Sequence, residues 1–570
     1  MQAAPGADRA ACHNKGTSRS RCTSLAVWAT LPMDAGRSRD PGTDCAMLNG
    51  FRIILGALVL LAGGVAEAKE ERVRTKVLEL NQSSAVQLAV AKNIALQTGM
   101  VPPAIARQAI RVEEGAFDPV LDVNFNKSEF NNAISTDPLT PANPSTVQVE
   151  NYDAAVRGAL PWGMTYDLGI ELQNRRSSVD NSKDEYSAGV GIGLSQPILR
   201  GFGTAVNLAP IRIARLQAVA SEWTFRQLVI DVITETLVTY NNLYFSQETL
   251  RVALRNQALA QQLLEDNMRR AEIGVMSPLD ITTARAEVAS REEAVLVSRR
   301  AVRDNENLLK QLITGEVEQI LALRVAISPP GLGVPSIPDV PGAIRSAFEN
   351  RPDYQTALLG LDQRNIALVV SRNAELPSLD LTATYGLNGL DRSLESTWRQ
   401  VTNAEFATWS VGVNFSLPIP NRTRNAERRI TELSIEEALL EIKGIEQNIM
   451  IEVDNALGRI ETARERIEAS RVSTVLAAES LQAEETKLRA GASTTFVVLE
   501  LQRNLAQAQE SQLLALLDYN NAVTEFHRIC GLTLQVNRVE IESAAPAAKV
   551  ARPPGSRGSQ ASDVPVRAPR

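Results

Sequence analysis

The chain carries one unusual pattern twice. Segments of alternating polar and apolar residues lead into a long stretch of helical composition, and the same order returns 221 residues later, counted from Gln196 to Leu417. In the first copy 186–195 leads into Gln196-Pro197-Ile198, and in the second 409–416 leads into Leu417-Pro418-Ile419. The helical stretches contain no proline over 211–277 and 421–545. Internal repetition sets the architecture before local detail does, so the sequence predicts two copies of one β-then-α unit.

Composition narrows the class of protein. The chain is 44% apolar and 22% charged, which excludes both a disordered chain and a helical membrane protein. Its formal net charge of −7 gives no reason to expect a nucleic acid as partner. After residue 68 no apolar run is long enough for a transmembrane helix. Entry of this part into a membrane would therefore require a closed barrel.

Residues 47–68 have the pattern of a secretory signal peptide. Arg52 precedes an apolar run, and Ala66-Glu67-Ala68 is a small-x-small cleavage site. We therefore expect Met47 to be the true start and 1–46 to be a non-native upstream extension. Cysteine usage agrees with export, because all cysteines except Cys530 precede the cleavage site and no disulfide can form within one mature chain.

Strand patterns occupy about 119–195 in the first copy and about 377–418 in the second. Leu121, Val123 and Phe125 alternate with polar residues, which is the period of a strand between two environments. Either a half-buried hairpin or a barrel wall between lipid and a polar lumen fits this pattern. The first region is longer by 37 residues (258 − 221), which leaves room for an additional strand pair around 166–172.

Long helical hairpins are expected at about 205–320 and about 421–530. Apolar and small residues recur there at spacings of three and four, the seam of a coiled coil. The repeats then cover 69–325 and 351–545. Between them 326–350 is a proline-rich connector, predicted to be extended over 325–341, and 546–570 is predicted to be a disordered tail.

Each helical arm reverses at a glycine. Gly274 and Gly491 suit the left-handed backbone just past a helix end. Ser277 can cap the returning helix, Pro278 suits its first turn, and Asp280 occupies the reciprocal position of a capping box. These residues are explained by ordinary helical hairpins, and they are equally compatible with a docking surface at the hairpin tips.

Together these features resemble the TolC-like outer-membrane efflux proteins. The resemblance covers about 80–532 and rests on the duplicated order, Gln196-Pro197-Ile198-Leu199-Arg200-Gly201, Arg351-Pro352-Asp353-Tyr354 and the two glycine turns. It implies an α+β fold in which several protomers build a membrane β-barrel joined to a long α-helical coiled-coil barrel. It further implies a homotrimer in outer-membrane lipid with its helical part in the periplasm, met by a periplasmic adaptor protein and an inner-membrane pump. A trimer with four strands per chain would have a twelve-stranded barrel, and the additional pair would make eighteen.

The same resemblance assigns site residues. Adaptor docking falls on the two tips, formed by Gly274, Val275, Met276, Ser277, Gly491, Ala492, Ser493 and Thr494. The acidic gate positions of the family fall on Val497 and Glu500, of which only Glu500 is acidic. A ring of three Glu500 carboxylates would attract cations, although an ordinary exposed glutamate explains this residue as well.

Catalytic chemistry is not indicated. His527 is the single histidine after residue 68, which excludes a multi-histidine metal site within one mature chain. Gly189-x-Gly191-x-Gly193 lies inside a strand pattern and not in a strand-to-helix loop, so it lacks the context of a dinucleotide site. We expect neither an enzyme nor a cofactor or metal. The leading function is an exit duct for efflux or type I secretion, and the alternative is a periplasmic or surface coiled-coil protein without a channel.

Overall fold

The computed structural model describes residues 76–132, 145–178, 183–274, 276–315, 323–331 and 339–541. The predicted upstream extension, signal peptide and tail lie outside these residues. Within them, two successive units each combine strands with a pair of long helices.

Strands form two sheets. β1 pairs with β6 in parallel, and the remaining strands form one antiparallel sheet in the order β2-β3-β4-β5-β7-β8. The first unit supplies four strands of this sheet and the second unit two, so the additional pair is present as β3 and β4. The strands are β1 (Lys76–Leu80), β2 (Val120–Asn132), β3 (Ser145–Ala159), β4 (Thr165–Ser177), β5 (Asp184–Pro197), β6 (Leu323–Ile327), β7 (Ser378–Asp391) and β8 (Phe406–Ser416).

The two faces of the six-stranded sheet differ in chemistry. Directly opposed residues share a face, so the register places Val123, Ala154 and Ile170 on one face and Asp153 and Glu171 on the other. A contiguous apolar face of this size requires cover from lipid or another apolar surface. Its exposed large side chains include Leu121, Val123, Phe125, Leu168, Ile170, Trp409, Val411, Val413 and Phe415.

A charged border ends the apolar face. On the same face Lys127 pairs with Glu150 at 2.7 Å, and Arg176 pairs with Asp184 at 2.8 Å. Beyond this border the apolar residues change face, because Phe130 and Val147 oppose each other on the face that is polar elsewhere. β2 nevertheless continues to Asn132.

The helices are dominated by two hairpins. The first hairpin is α5 and α6, the second is α10 and α11, and both run without an internal proline. The helices are α1 (Gln82–Lys92), α2 (Ile94–Gly99), α3 (Val101–Glu114), α4 (Thr204–Asn207), α5 (Ala209–Glu272), α6 (Pro278–Ile313), α7 (Val340–Asn350), α8 (Pro352–Ala374), α9 (Leu394–Thr402), α10 (Arg422–Arg489), α11 (Thr495–Ile529) and α12 (Thr533–Val536).

The predicted connector contains a regular element at each end. Residues 340–350 form α7, because Pro341 occupies the first turn, where no backbone donor is required, and Ala343 and Ala347 bury one face. At the other end 323–327 is strand β6, paired with β1. Residues 332–338 of the predicted connector lie outside the described residues.

Two sequence motifs form junctions between these elements. Arg351 lies at the start of α8 and contacts Asp353 at 2.7 Å and Glu452 of α10 at 2.5 Å. Gly201 follows β5 with φ of +84°, a left-handed backbone that favours glycine. Its N–H donates to the side-chain oxygen of Asn373 at 2.7 Å. Gly201 therefore ties the end of β5 to α8, and Arg351 ties the start of α8 to the middle of α10.

Candidate gate and docking tips

The first tip is residues 273–277. Gly274 follows α5 with φ of +76°, and its N–H donates to the carbonyl of Ala271 at 2.9 Å. Ser277 then caps α6, because its hydroxyl accepts from the N–H of Leu279 and its own N–H donates to the Asp280 carboxylate. This capping box agrees with the sequence. Val275 lies outside the described residues.

The second tip is residues 490–494. Gly491 also has φ of +76°, and the N–H of Ala492 donates back to the carbonyl of Lys487 at 2.9 Å. Thr494 starts α11 without a side-chain hydrogen bond to the helix. Ser493 donates instead to Glu484 of α10 at 2.6 Å. The second tip is therefore held by a contact across the turn.

Both tips are open to a partner. A Cβ placed on Gly274 or Gly491 would meet no atom within 4 Å. Ala492 and Thr494 are exposed, and Ser493 is half-buried. Met276 is half-buried, and its sulfur lies 4.0 Å from the hydroxyl of Thr495. The repeat thus places two similar turns at the ends of two similar arms.

The two predicted gate positions lie on α11. Val497 and Glu500 are exposed in the single chain, whereas Val498 and Leu499 between them are buried. The spacing of three places Val497 and Glu500 on one face of the helix. Their side chains are therefore free to face a shared axis if copies of the chain assemble around it.

An ion pair between a buried carboxylate and a partly exposed arginine joins the two hairpins above the tips. Glu287 of α6 is 4% exposed and accepts from Arg291 at 2.8 Å. It also accepts from Arg503 of α11, at 3.0 Å and 2.5 Å from the Nε and Nη2 atoms. Burial raises the pKa of the Glu287 carboxyl, but the hydrogen bonds and charges of Arg503 and Arg291 outweigh it and hold that pKa below its ordinary 4.5. Glu287 is therefore charged at neutral pH and links the returning helices.

This bridge was missed in the sequence, although a signal for it exists. Gly274 and Gly491 are 217 residues apart (491 − 274), and Glu287 and Arg503 are 216 apart. Residues separated by the repeat length lie at equal depth in the two arms. Opposite charges at that separation therefore mark candidate contacts between the hairpins.

A second contact joins α5 to α10. Arg270 donates to the backbone carbonyl of Leu488 at 3.1 Å, which satisfies one carbonyl at the end of α10. Asn267, one turn earlier, is 1% exposed, and its amide group has no hydrogen-bond partner among the described residues. It lines a cavity of about 80 Å³ between α5, α10 and α11.

Reactive groups lie apart from the tips. Cys530 and His527 are near the end of α11, where burial raises the pKa of the thiol to about 12 and lowers that of the imidazole. In the described ranges no cluster of three metal-ligating side chains occurs. Across the same ranges, none of the helices combines the length and apolarity needed to cross a membrane.

Solved structures with this arrangement are outer-membrane channels. The Campylobacter jejuni CmeC outer membrane channel superposes with a TM-score of 0.60 at 18% identity, covering 79% of this chain and 86% of that one. The outer-membrane channel OprN gives 0.60 at 17% identity over 79% and 89%. At these identities the comparison defines the fold alone, that of an outer-membrane channel protomer.

Sequence comparison gives the family. Residues 150–315 and 343–532 match the outer membrane efflux protein family, so the chain belongs to that family and is an outer-membrane protein. The pyoverdine export outer membrane protein OpmQ of Pseudomonas putida is 28% identical over 48% of this chain and 56% of its own length. Outer membrane protein TolC of Escherichia coli is 23% identical over 52% and 60%. The matches thus span little more than half of these relatives.

Proposed function

We propose that three copies of this chain form the exit duct of a tripartite efflux or type I secretion system. The carrying observation is the six-stranded sheet, apolar on one face and polar on the other, joined to two long helical hairpins. The apolar face would meet outer-membrane lipid, and the polar face would line the lumen.

Oligomerisation follows from the edges of the sheet. Among the residues that the structure describes, β2 and β8 each have a neighbouring strand on one side only. Unpaired backbone groups are costly in lipid, and small membrane barrels begin at about eight strands. Six strands therefore need strands from other copies, and three copies agree with the family.

The helical arms supply the tunnel and its entrance. In this proposal a periplasmic adaptor docks on the two tips, and Val497 and Glu500 line the closed end. Engagement of the adaptor and an inner-membrane pump would separate the hairpins, which the Glu287–Arg503 bridge opposes. The duct is passive, and the pump supplies the energy.

Assembly and conductance test the proposal together. The chain, purified from outer membranes in mild detergent, should have the mass of three copies and should form discrete ion channels in planar bilayers. A monomer that inserts stably would contradict the trimeric duct. A soluble oligomer without conductance would instead favour the coiled-coil protein without a channel.

A further inference from the structure

The β3–β4 hairpin is an integral part of the sheet. It pairs with β2 on one side and β5 on the other. The alternation of faces continues through it, because Ile170 shares the apolar face while Asp167 and Glu171 share the polar one. Arg157 of β3 also contacts Asp122 of β2 at 3.2 Å and Asp167 of β4 at 2.6 Å. A flap outside the wall would not continue both the register and the faces.

This inserted pair sets the size of the barrel. The inference rests on the proposed trimer, in which six strands per chain make eighteen. With strands about 4.8 Å apart and tilted by about 40°, the backbone circle is about 36 Å across, against about 24 Å for twelve strands. Barrels of sixteen to eighteen strands leave an aqueous channel.

The helical tunnel has a matching circumference. Four long helices per chain give twelve around the axis. At about 9 Å between neighbouring helix axes, they enclose a circle of about 34 Å. At these spacings eighteen strands enclose a circle close in width to that of the tunnel.

Glycines on the polar face leave room inside the barrel. Around Gly191 an added Cβ would meet nothing closer than 3.6 Å, so crowding does not explain the absence of a side chain. The face also carries Asp153 and Glu171 and is therefore hydrated. Glycine occupies several further positions on it, namely Gly169, Gly189, Gly193, Gly386 and Gly412.

We propose that the eighteen-stranded exit passes polypeptides that keep packed secondary structure. An α-helix is about 10–12 Å across with its side chains, so a helical hairpin is about 20 Å wide. A backbone circle of about 24 Å, reduced by inward side chains, would exclude such a cargo. A circle of about 36 Å admits it.

Labelling from outside the cell measures the bore without opening the periplasmic gate. Thr382 lies on the polar face near the start of β7. Thr382→Cys in the full chain should react with externally added polyethylene-glycol maleimides of about 20 Å hydrated diameter, the width of a helical hairpin. Ala383→Cys, on the opposite face, should stay unlabelled. Glu395→Cys, exposed on α9, should react with every polymer. Native Cys530 is buried, so the chain without an added cysteine measures the background labelling.

A shortened barrel supplies the comparison. A variant lacking 145–177 retains antiparallel β2 and β5 and should label at Thr382→Cys at least tenfold more slowly with those polymers. If the full chain excludes the same polymers as the shortened variant, the inference is overturned, but the proposal of an exit duct is not. If the shortened variant does not insert, two measurements on the full chain remain: the largest polymer that labels Thr382→Cys, and the number of strands seen in images of the assembly. Twelve strands would reject the inference, and eighteen would support it. Absence of any membrane-inserted oligomer would reject the duct itself.

Discussion

The two helical hairpins agree in length but differ in how their tips are held. α5 and α6 have 64 and 36 residues, and α10 and α11 have 68 and 35. The first tip is sealed locally by the Ser277 capping box, whereas the second uses the contact from Ser493 to Glu484. Arm length is constrained because the hairpins pack against each other. Capping is local, so it has diverged between the copies.

The acidic residues near the tips have also diverged. With the offset of 217, Val497 corresponds to Asp280 and Glu500 to Thr283. In the first hairpin Asp280 closes a helix end, and in the second Glu500 is exposed. Variants at these paired positions can test whether they perform different tasks.

The largest effect is expected from distorting either turn. Proline fixes φ near −65°, so Gly274→Pro and Gly491→Pro cannot keep the observed +76°. Export by cells relying on each variant should fall below about a tenth of normal while the trimer remains in the outer membrane. Gly444→Ala, inside α10 with open space around it, is the control. Normal export by one Pro variant would show that the two tips are not equivalent docking sites.

Breaking the bridge between hairpins should have the next largest effect. Arg503→Ala removes one partner of a buried carboxylate, at a cost of about 2 kcal/mol. Hydrogen exchange in α6 and α11 beside Glu287 should become about thirtyfold faster, with more frequent channel opening. Arg466→Ala, in the exposed pair with Asp518, should change little. Unchanged exchange in Arg503→Ala would mean that the hairpins are held elsewhere.

The same bridge predicts a pH dependence. Because the folded-state pKa of Glu287 lies below 4.5, its stabilisation is present above that pH and is lost as pH falls through the folded-state value. Acidification should therefore accelerate exchange around Glu287 in the native chain. Glu287→Gln should respond less over the same range, and equal responses would assign the effect to other carboxylates.

A smaller effect is expected at the gate. Glu500→Gln should lower cation selectivity about twofold in planar bilayers at low salt, and Val497→Asp should raise it by a similar factor. Both changes should shrink at about 1 M salt, where screening acts over about 3 Å. Glu510→Gln is the matched control, because it removes the same charge farther along α11 and should leave the selectivity unchanged. Identical selectivity in all three variants would place the constriction away from Glu500.

The smallest effect concerns the caps. Ser277→Ala should destabilise the first turn of α6 by about 1 kcal/mol and accelerate amide exchange there about fivefold. Thr494→Ala should leave α11 nearly unchanged, because Thr494 makes no capping hydrogen bond. Equal acceleration at both starts would remove the proposed difference between the tips.

Local chemistry made part of this molecule predictable. Gly274 and Gly491 could be predicted as turn residues because a left-handed backbone favours glycine. Ser277 and Asp280 could be predicted as a helix cap because a capping box has fixed spacing. Alternation identified the sheet only where one face is apolar. Past the border at Lys127 the apolar residues no longer stay on one face, so the full lengths of β2 and β3 could not be inferred.

Long-range contacts were harder to predict. Glu287 in isolation resembles an ordinary helix glutamate paired with Arg291, and its burial depends on how α6 meets α11. Asn267 is similar, since its burial arises only when α5, α10 and α11 come together. Sequence periodicity fixes which face of a helix is apolar, but the depth at which two hairpins meet comes from the fold.

The unpaired edges of β2 and β8 also constrain biogenesis. A newly exported chain carries two open strand edges and an uncovered apolar face, a combination that promotes aggregation. Folding of the sheet and encounter with other copies are then one event, whose rate depends on subunit concentration. Scarcity of the chain would accordingly yield misfolded protein for proteolysis instead of a proportionate number of smaller pores.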